Sequence, residues 1–244
     1  MRNNIPVINV YKKKTVKSEI VTQLLYGDTF KRLKKFGSWI KIKNNSDNYK
    51  GYIRNKNFPK DQKNSHKIFS LSSNLYSRPN KKYKIKKKLS FGSKIKASEK
   101  KGNFYRFDNY WIEKKNIKSK NYKTKSIFSL AKKFTNVKYK WGGNFYTGID
   151  CSALIQLLIN FNNKFCPRDT KDQIKYFKKK VKLSKVKKDD LIFWKGHVAI
   201  VLNKKKLIHA YGPLKKVMVM PINNTIKRIY KTANLKVIGV RRIS

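Results

Sequence analysis

Three residues of this chain have the types and order that thiol acyl chemistry needs: Cys151 in "YTGIDCSALIQLLI", and His197 and His209 in "GHVAIVLNKKKLIHA". A sulfur attacks a carbonyl when an imidazole takes its proton and a further polar group orients that imidazole. The chain holds one other histidine, His66, far from both in sequence. Leu154, Ile155 and Leu158 follow Cys151 at i+3, i+4 and i+7, which puts the thiol on the packing face of a helix. A cysteine on such a face is most often core. Here Gly148 ends the preceding loop and Asp150 is placed to cap the helix, so Cys151 falls on its first turn. That position lowers a thiol pKa and leaves N–H groups free for an oxyanion.

The histidines must be positioned by a hairpin. A three-residue turn at Asn203, Lys204 and Lys205 pairs Leu202 with Lys206 and Ala199 with His209. His197 then lies diagonal to His209 on the same face, ~7 Å away between backbones. A turn one residue shorter or longer sends them to opposite faces. With the first register, the helix carrying Cys151 is expected to pack on the face that bears both histidines. His197 would act as base and then acid, and His209 would orient it. Zinc held by Cys151, His197 and His209 is the alternative, against which stands the lack of any closely paired ligand spacing. No metal or other cofactor is expected.

Around these residues the pattern predicts helices first and strands after. "SIFSLAKKF" places Ile127, Leu130, Ala131 and Phe134 at helical spacing, with Ser126 as N-cap. A second helix is expected near Thr170 to Phe177, then the strands "DLIFW", "HVAIVL", "KLIHA" and "LKVIGVRRI". Such an order describes an α+β domain with an antiparallel sheet.

Upstream, "YGDTFKRLKKFGSWIKI" lies without a gap on "FGSKIKASEKKGNFYRF", so that Gly27 meets Gly92 and Gly37 meets Gly102. Each copy reads as a turn glycine, an alternating strand, a second turn glycine and a strand opened by an aromatic residue. The two copies resemble a tandem of small bacterial SH3-type barrels. The expected division is residues 1–62 and 63–120 for the two barrels and 121–244 for the α+β domain.

The chain's 244 residues carry a net charge of +50, with 39% hydrophobic and 13% aromatic residues. That aromatic content argues for a folded protein under a coat of lysine. The lysines are spread along the whole chain beside abundant Asn, Ile, Tyr and Phe, as compositional drift would produce, and no arginine-rich arm or nucleic-acid motif accompanies them. Nucleic-acid binding is therefore not expected as a function. Two cysteines, Cys151 and Cys166, make no disulfide framework. "MRNNIPVINVYKKK" has no apolar signal region and no segment approaches membrane-spanning length, so a soluble cytoplasmic protein is expected.

"WGGNFYTGIDCSALIQ", "PRDTKDQ", "DDLIFWKGHVAIVL" and "KLIHA", in that order over about half the chain, resemble the catalytic domain of the NlpC/P60 cysteine peptidases. The resemblance implies a papain-like α+β fold with Cys151 as nucleophile, His197 as catalytic histidine and His209 as third polar member. It implies that Asp150, Ser152, Thr170 and Trp141 line the substrate site. Tandem SH3-type modules ahead of such a domain resemble the γ-D-glutamyl-L-diamino acid endopeptidases, which cleave murein peptides and hold the free amine of the peptide with an acidic residue and a tyrosine. Glu19 and Tyr52 are the candidates for that role. The chain departs from the family pattern at Ala153 and Asp189, where glycine is usual, and at Thr170, where this subgroup commonly has serine. Two other readings stay open: a catalytically silent basic module for anionic wall polymer or nucleic acid, and an amidase or acyltransferase on the same fold.

Overall fold

The computed structural model describes residues 1–243 and divides them into two compact units, residues 1–122 with 142–146, and residues 123–141 with those from 147 onward. In the first unit β1 (Val7–Tyr11), β2 (Ile20–Leu25), β3 (Phe30–Phe36), β4 (Trp39–Asn44) and β5 (Lys50–Arg54) form one antiparallel sheet in the order β2-β1-β5-β4-β3. The following residues supply β6 (His66–Ile68), β7 (Ser72–Tyr76), β8 (Lys84–Ser90), β9 (Lys94–Ile95), β10 (Glu99–Lys101), β11 (Phe104–Phe107), β12 (Tyr110–Glu113) and β13 (Ile117–Ser119). Their main sheet runs β8-β7-β12-β11-β10, which is the first order shifted by one repeat, and β13-β6-β9 forms a smaller sheet. Turn geometry repeats with the sequence: φ is 82° at Gly27 and 83° at Gly92, 55° at Gly37 and 54° at Gly102. A side chain in that left-handed region is strained, which is why glycine recurs there.

Neither sheet closes into the barrel expected from the sequence. Among the described residues β2 and β3 are the two ends of the first sheet and do not pair. The edge of β2 is covered instead by β14 (Asn144–Phe145): Asn144 Nδ2 donates to the Gln23 carbonyl at 2.8 Å, and the Asn144 N–H donates to Gln23 Oε1 at 2.9 Å. Gly142 passes so close that a Cβ there would lie 2.0 Å from the Ile20 carbonyl oxygen. The two modules are held together by Tyr26, which joins the second module's core of Ile68, Leu75, Leu89, Ile95 and Phe107, and by a bidentate pair from Arg2 to Asp108 at 2.9–3.0 Å.

The second unit contains β15 (Gly148–Ile149), α1 (Cys151–Phe161), α2 (Thr170–Tyr176), β16 (Lys179–Val181), β17 (Asp190–Trp194), β18 (His197–Val201), β19 (Lys206–Tyr211), β20 (Lys216–Pro221), α3 (Ile222–Ala233) and β21 (Val237–Arg242). Its antiparallel sheet runs β16-β21-β17-β18-β19-β20. The residues from Ser126 to Phe134 do not form the expected α-helix; turns lead into a 3-10 helix at Ala131–Phe134. Ser126 spends its hydroxyl on Asp189, at 2.6 Å, instead of capping a helix. α3 was not foreseen, although Ile222, Ile226 and Ile229 have helical spacing. Ile222 and Ile229 complete the cluster of Trp194, Ala199, Val201, Leu207 and Tyr211 on one sheet face. This is the face that carries His197 and His209, so α3 covers it rather than α1. Val198, Ile200, Ile208 and Ala210 are buried on the other face, which is left to α1 in its contact with β18 and β19. Among the described residues no helix is long and apolar enough to cross a membrane.

Asp189, where the family pattern has glycine, has φ 71°. Its carboxylate accepts from Ser126, so the residue offsets a left-handed backbone with a hydrogen bond. Asp189→Ala loses the bond and keeps the strain, for an expected cost of about 1–2 kcal/mol, whereas Asp189→Gly should stay within about 0.5 kcal/mol of the parent. Urea midpoints compare the two; a glycine variant less stable than the alanine variant contradicts this account.

Candidate active site

The N-terminus of α1 is built around one carboxylate. Asp150 has extended backbone and its side chain accepts from the Ala153 N–H at 2.8 Å, so it caps the helix and fixes Cys151 as the first helical residue. Arg168 grips the same carboxylate: Nη1 donates to Oδ1 at 3.0 Å and Nη2 to Oδ2 at 2.5 Å. Nη1 also donates to Ser152 Oγ at 2.8 Å. The Ser152 carbonyl in turn accepts from Gln173 Nε2 on α2 at 3.0 Å. Arg168 escaped the sequence reading although it lies inside "PRDTKDQ"; a buried arginine among surface lysines signals itself only once its partner is known.

β18 and β19 pair Ile200 with Ile208 and Val201 with Leu207, the register of the three-residue turn. In it His197 Nε2 lies 2.9 Å from His209 Nδ1. His209 Nε2 faces the Met220 thioether at 3.3 Å, and Tyr211 stacks on the His209 ring with centroids 4.8 Å apart and planes 8° off parallel. A thioether only accepts, so His209 carries its proton on Nε2 and accepts on Nδ1. His197 then donates from Nε2, which leaves Nδ1 unprotonated and able to take a proton.

Cys151 Sγ meets the residues on either side of His197: it lies 3.9 Å from the Gly196 carbonyl and accepts from the Val198 N–H. The thiol thus lies against the backbone at the start of β18, the strand that His197 opens. The helix terminus does not make it acidic. Burial first, and then the Asp150 charge, push the thiol up to about 11, against the Val198 N–H, the Arg168 guanidinium and the Ser152 N–H, which pull it down. Burial lowers His197 to about 4; burial and the charge of His197 lower His209 to about 3. At neutral pH the resting site therefore holds a neutral thiol and two neutral imidazoles.

Since only the thiolate is alkylated, modification of Cys151 by iodoacetamide is expected to rise roughly tenfold per pH unit through neutral pH and level off only near the thiol's raised pKa. Rates measured from pH 6 to 11 on the folded protein test this. A plateau already reached below pH 7 means a standing thiolate–imidazolium pair instead.

Tyr139 also belongs to the site and was not singled out in the sequence. Burial, then the charges of Cys151 and Asp150, raise its phenol, so it remains a donor. Its ring packs over Gly212, where an added Cβ would lie 3.4 Å away. Of the other expected residues, Thr170 opens α2 and is buried, and Trp141 is 59% exposed. Glu19 and Tyr52 lie in the first unit, Glu19 paired with Lys12 at 3.2 Å and Tyr52 opposite Tyr11 and beside Phe36. Among the described residues no group of three His, Cys, Asp or Glu side chains is placed to hold a metal ion; the two imidazoles face each other in a hydrogen bond.

Residues 136–235, which include Tyr139, Asp150, Cys151, Arg168, His197 and His209, match the NlpC/P60 family. The chain carries an NlpC/P60 domain. Residues 6–59 match the bacterial SH3 domain, so one SH3 domain is found ahead of it, not the expected tandem. The second β-module repeats the strand order of the first without such a match. Over 85 residues, 35% of this chain and 31% of the relative, the chain is 31% identical to "Dipeptidyl-peptidase 6" of Lysinibacillus sphaericus. Over 91 residues, 35% of this chain and 48% of the relative, it is 32% identical to "Probable endopeptidase NlpC homolog" of Haemophilus influenzae. The matches thus span less than half the length of these curated relatives. The crystal structure of an NlpC/P60 family protein from Bacillus cereus ATCC 10987 has the same fold, with a TM-score of 0.84 and 18% identity over 99% of this chain and 98% of that one. An NlpC/P60 endopeptidase from Photobacterium damselae subsp. piscicida is similar over 96% of this chain and 69% of its own, with a TM-score of 0.65 and 14% identity.

Proposed function

We propose that the protein is a cysteine endopeptidase that cleaves the bond between γ-linked D-glutamate and a diamino acid in short murein peptides. The observation that carries this reading is the hydrogen-bonded pair of His197 and His209, with the Cys151 thiol set against the backbone of the residues on either side of His197. It is supported by the names of the two curated relatives, both peptidases, and the bond specificity rests on the motif resemblance.

In the reaction, Sγ attacks the γ-carbonyl carbon while His197 Nδ1 takes the thiol proton, so charge appears only as the new bond forms. The Cys151 N–H, at the first position of α1, is offered to the oxyanion that develops, since the Ala153 N–H is taken by Asp150. Collapse breaks the amide C–N bond, and His197 returns the proton to the leaving amine. Water then attacks the thioester carbon, again losing a proton to His197, which passes it to the departing sulfur. Throughout, His209 holds His197 in the tautomer that presents Nδ1 to the sulfur. The acidic peptide is drawn by the basic surface, so turnover is expected to fall as salt rises.

Incubation of the purified protein with L-Ala-γ-D-Glu-diaminopimelate is expected to release the diamino acid in a Cys151-dependent manner. Intact tripeptide after long incubation at high enzyme concentration would sink the reading.

A further inference from the structure

A cavity of about 760 Å³ opens in the second unit far from the thiol relay. Its floor includes Ile159, eight residues after Cys151 on α1 and so about 12 Å further along the helix axis. One wall is aromatic. Phe165 and Tyr176 are 43% and 45% exposed, with ring centroids 5.2 Å apart at 62°. Phe177 continues the run from Tyr176 at 5.2 Å and 76°. Two large aromatic side chains left open side by side are unusual for a surface with no other use for them. Rings set at steep angles make a corner that takes one flat ring, face against one partner and edge against the other.

The rim is cationic. Lys164, Lys178 and Lys179 line the cavity, are exposed, and make no ion pair among the described residues. Arg242 also borders it, but its charge is committed to Asp190 through bonds of 2.7 and 2.8 Å. Three uncommitted ammonium groups suit an anion of more than one charge, and compact ammonium charges suit phosphate oxygens. The volume lies in the range of small-molecule sites, and a concave cavity fits a small ligand better than a flat lipid surface.

We propose that this cavity binds a nucleotide, the base stacked on Tyr176 with its edge against Phe165 and the phosphate held by Lys164, Lys178 and Lys179. The site is separate from the thiol relay and stands whether or not the protein is a peptidase. Calorimetric titration of the full chain at low salt with AMP, ribose 5-phosphate and inorganic phosphate tests it. AMP is expected to bind at least about tenfold more tightly than either of the others. Tyr176→Ser is expected to weaken AMP at least about fivefold, as loss of a stacking partner does, and to leave ribose 5-phosphate unchanged. Replacing Lys164, Lys178 and Lys179 together by serine should weaken all three ligands. Because the whole chain is strongly basic, the same change at Lys31, Lys34 and Lys35 on β3 is the control and should have little effect. The proposal is overturned if ribose 5-phosphate or phosphate binds as tightly as AMP, if Tyr176→Ser changes nothing, or if the control substitution weakens AMP as much as the cavity one.

Discussion

Replacing Cys151 by alanine is expected to reduce kcat/KM for release of the diamino acid by about four orders of magnitude or more, with stability changed by no more than about 1 kcal/mol. In the proposed mechanism Sγ is the atom that forms the covalent bond, and its other contacts include one long approach to the Gly196 carbonyl and bonds from the Val198 and Ser152 N–H groups. His197→Ala should cost about as much, because residues that act as a unit are not additive. The double variant is then expected to be no slower than the worse single one. His209 is different. It touches no reacting atom and acts by accepting from His197 Nε2 at 2.9 Å. An asparagine oxygen can accept from the same nitrogen, so His209→Asn should retain most of the activity while His209→Ala loses about a hundredfold. The acid limb has a definite sign. With His197 lowered to about 4 by burial, the base stays unprotonated as pH falls until that value, and activity should persist well below the range of an ordinary histidine. Activity that survives Cys151→Ala, or a His209→Asn variant as damaged as His209→Ala, contradicts these roles.

The parts of this site that sequence revealed are those fixed by local periodicity. A strand alternates every residue, so the length of one turn decides whether His197 and His209 share a face, and three residues put them together. An aspartate just before an apolar helix has few uses other than capping, and Asp150 caps. The repeat likewise appears in matched glycine dihedrals and a shared strand order. What stayed hidden depended on partners distant in the chain. Nothing local said that α3 rather than α1 would cover the histidine face, because both helices offer apolar residues at suitable spacing. The open edge of β2 is decided by Asn144, more than a hundred residues away, and no pattern near Gln23 announces it. The thiol was expected to be acidified by its helix terminus. That argument weighed the terminus without the buried Asp150 charge and the loss of water, which outweigh it.

Arg168→Met is expected to be the most destabilising single change in the catalytic unit, by about 3–5 kcal/mol, since it leaves a buried carboxylate without its cation. The side chains of Arg168 and Asp150 are 2% and 7% exposed, so water does not replace the lost partner. Methionine has nearly the right length and no charge, which separates loss of the ion pair from loss of packing. Arg168→Lys should recover only part of the loss, because a single ammonium cannot hold both carboxylate oxygens and Ser152 Oγ at once. The decisive comparison adds Asp150→Asn. If the cost comes from an unpaired buried charge, Asp150→Asn with Arg168→Met is more stable than Arg168→Met alone, since the amide oxygen can still cap Ala153 and no charge is left behind. The same pair should remain slow as an enzyme, because the first turn of α1 has lost the fork that fixes it, and a shift of about 1 Å at the nucleophile costs on the order of a hundredfold. Guanidinium midpoints and kcat/KM on the four proteins of this cycle separate the two effects. A single variant within 1 kcal/mol of the parent, or a double variant less stable than the single, shows that Arg168 does not hold the nucleophile helix in this way.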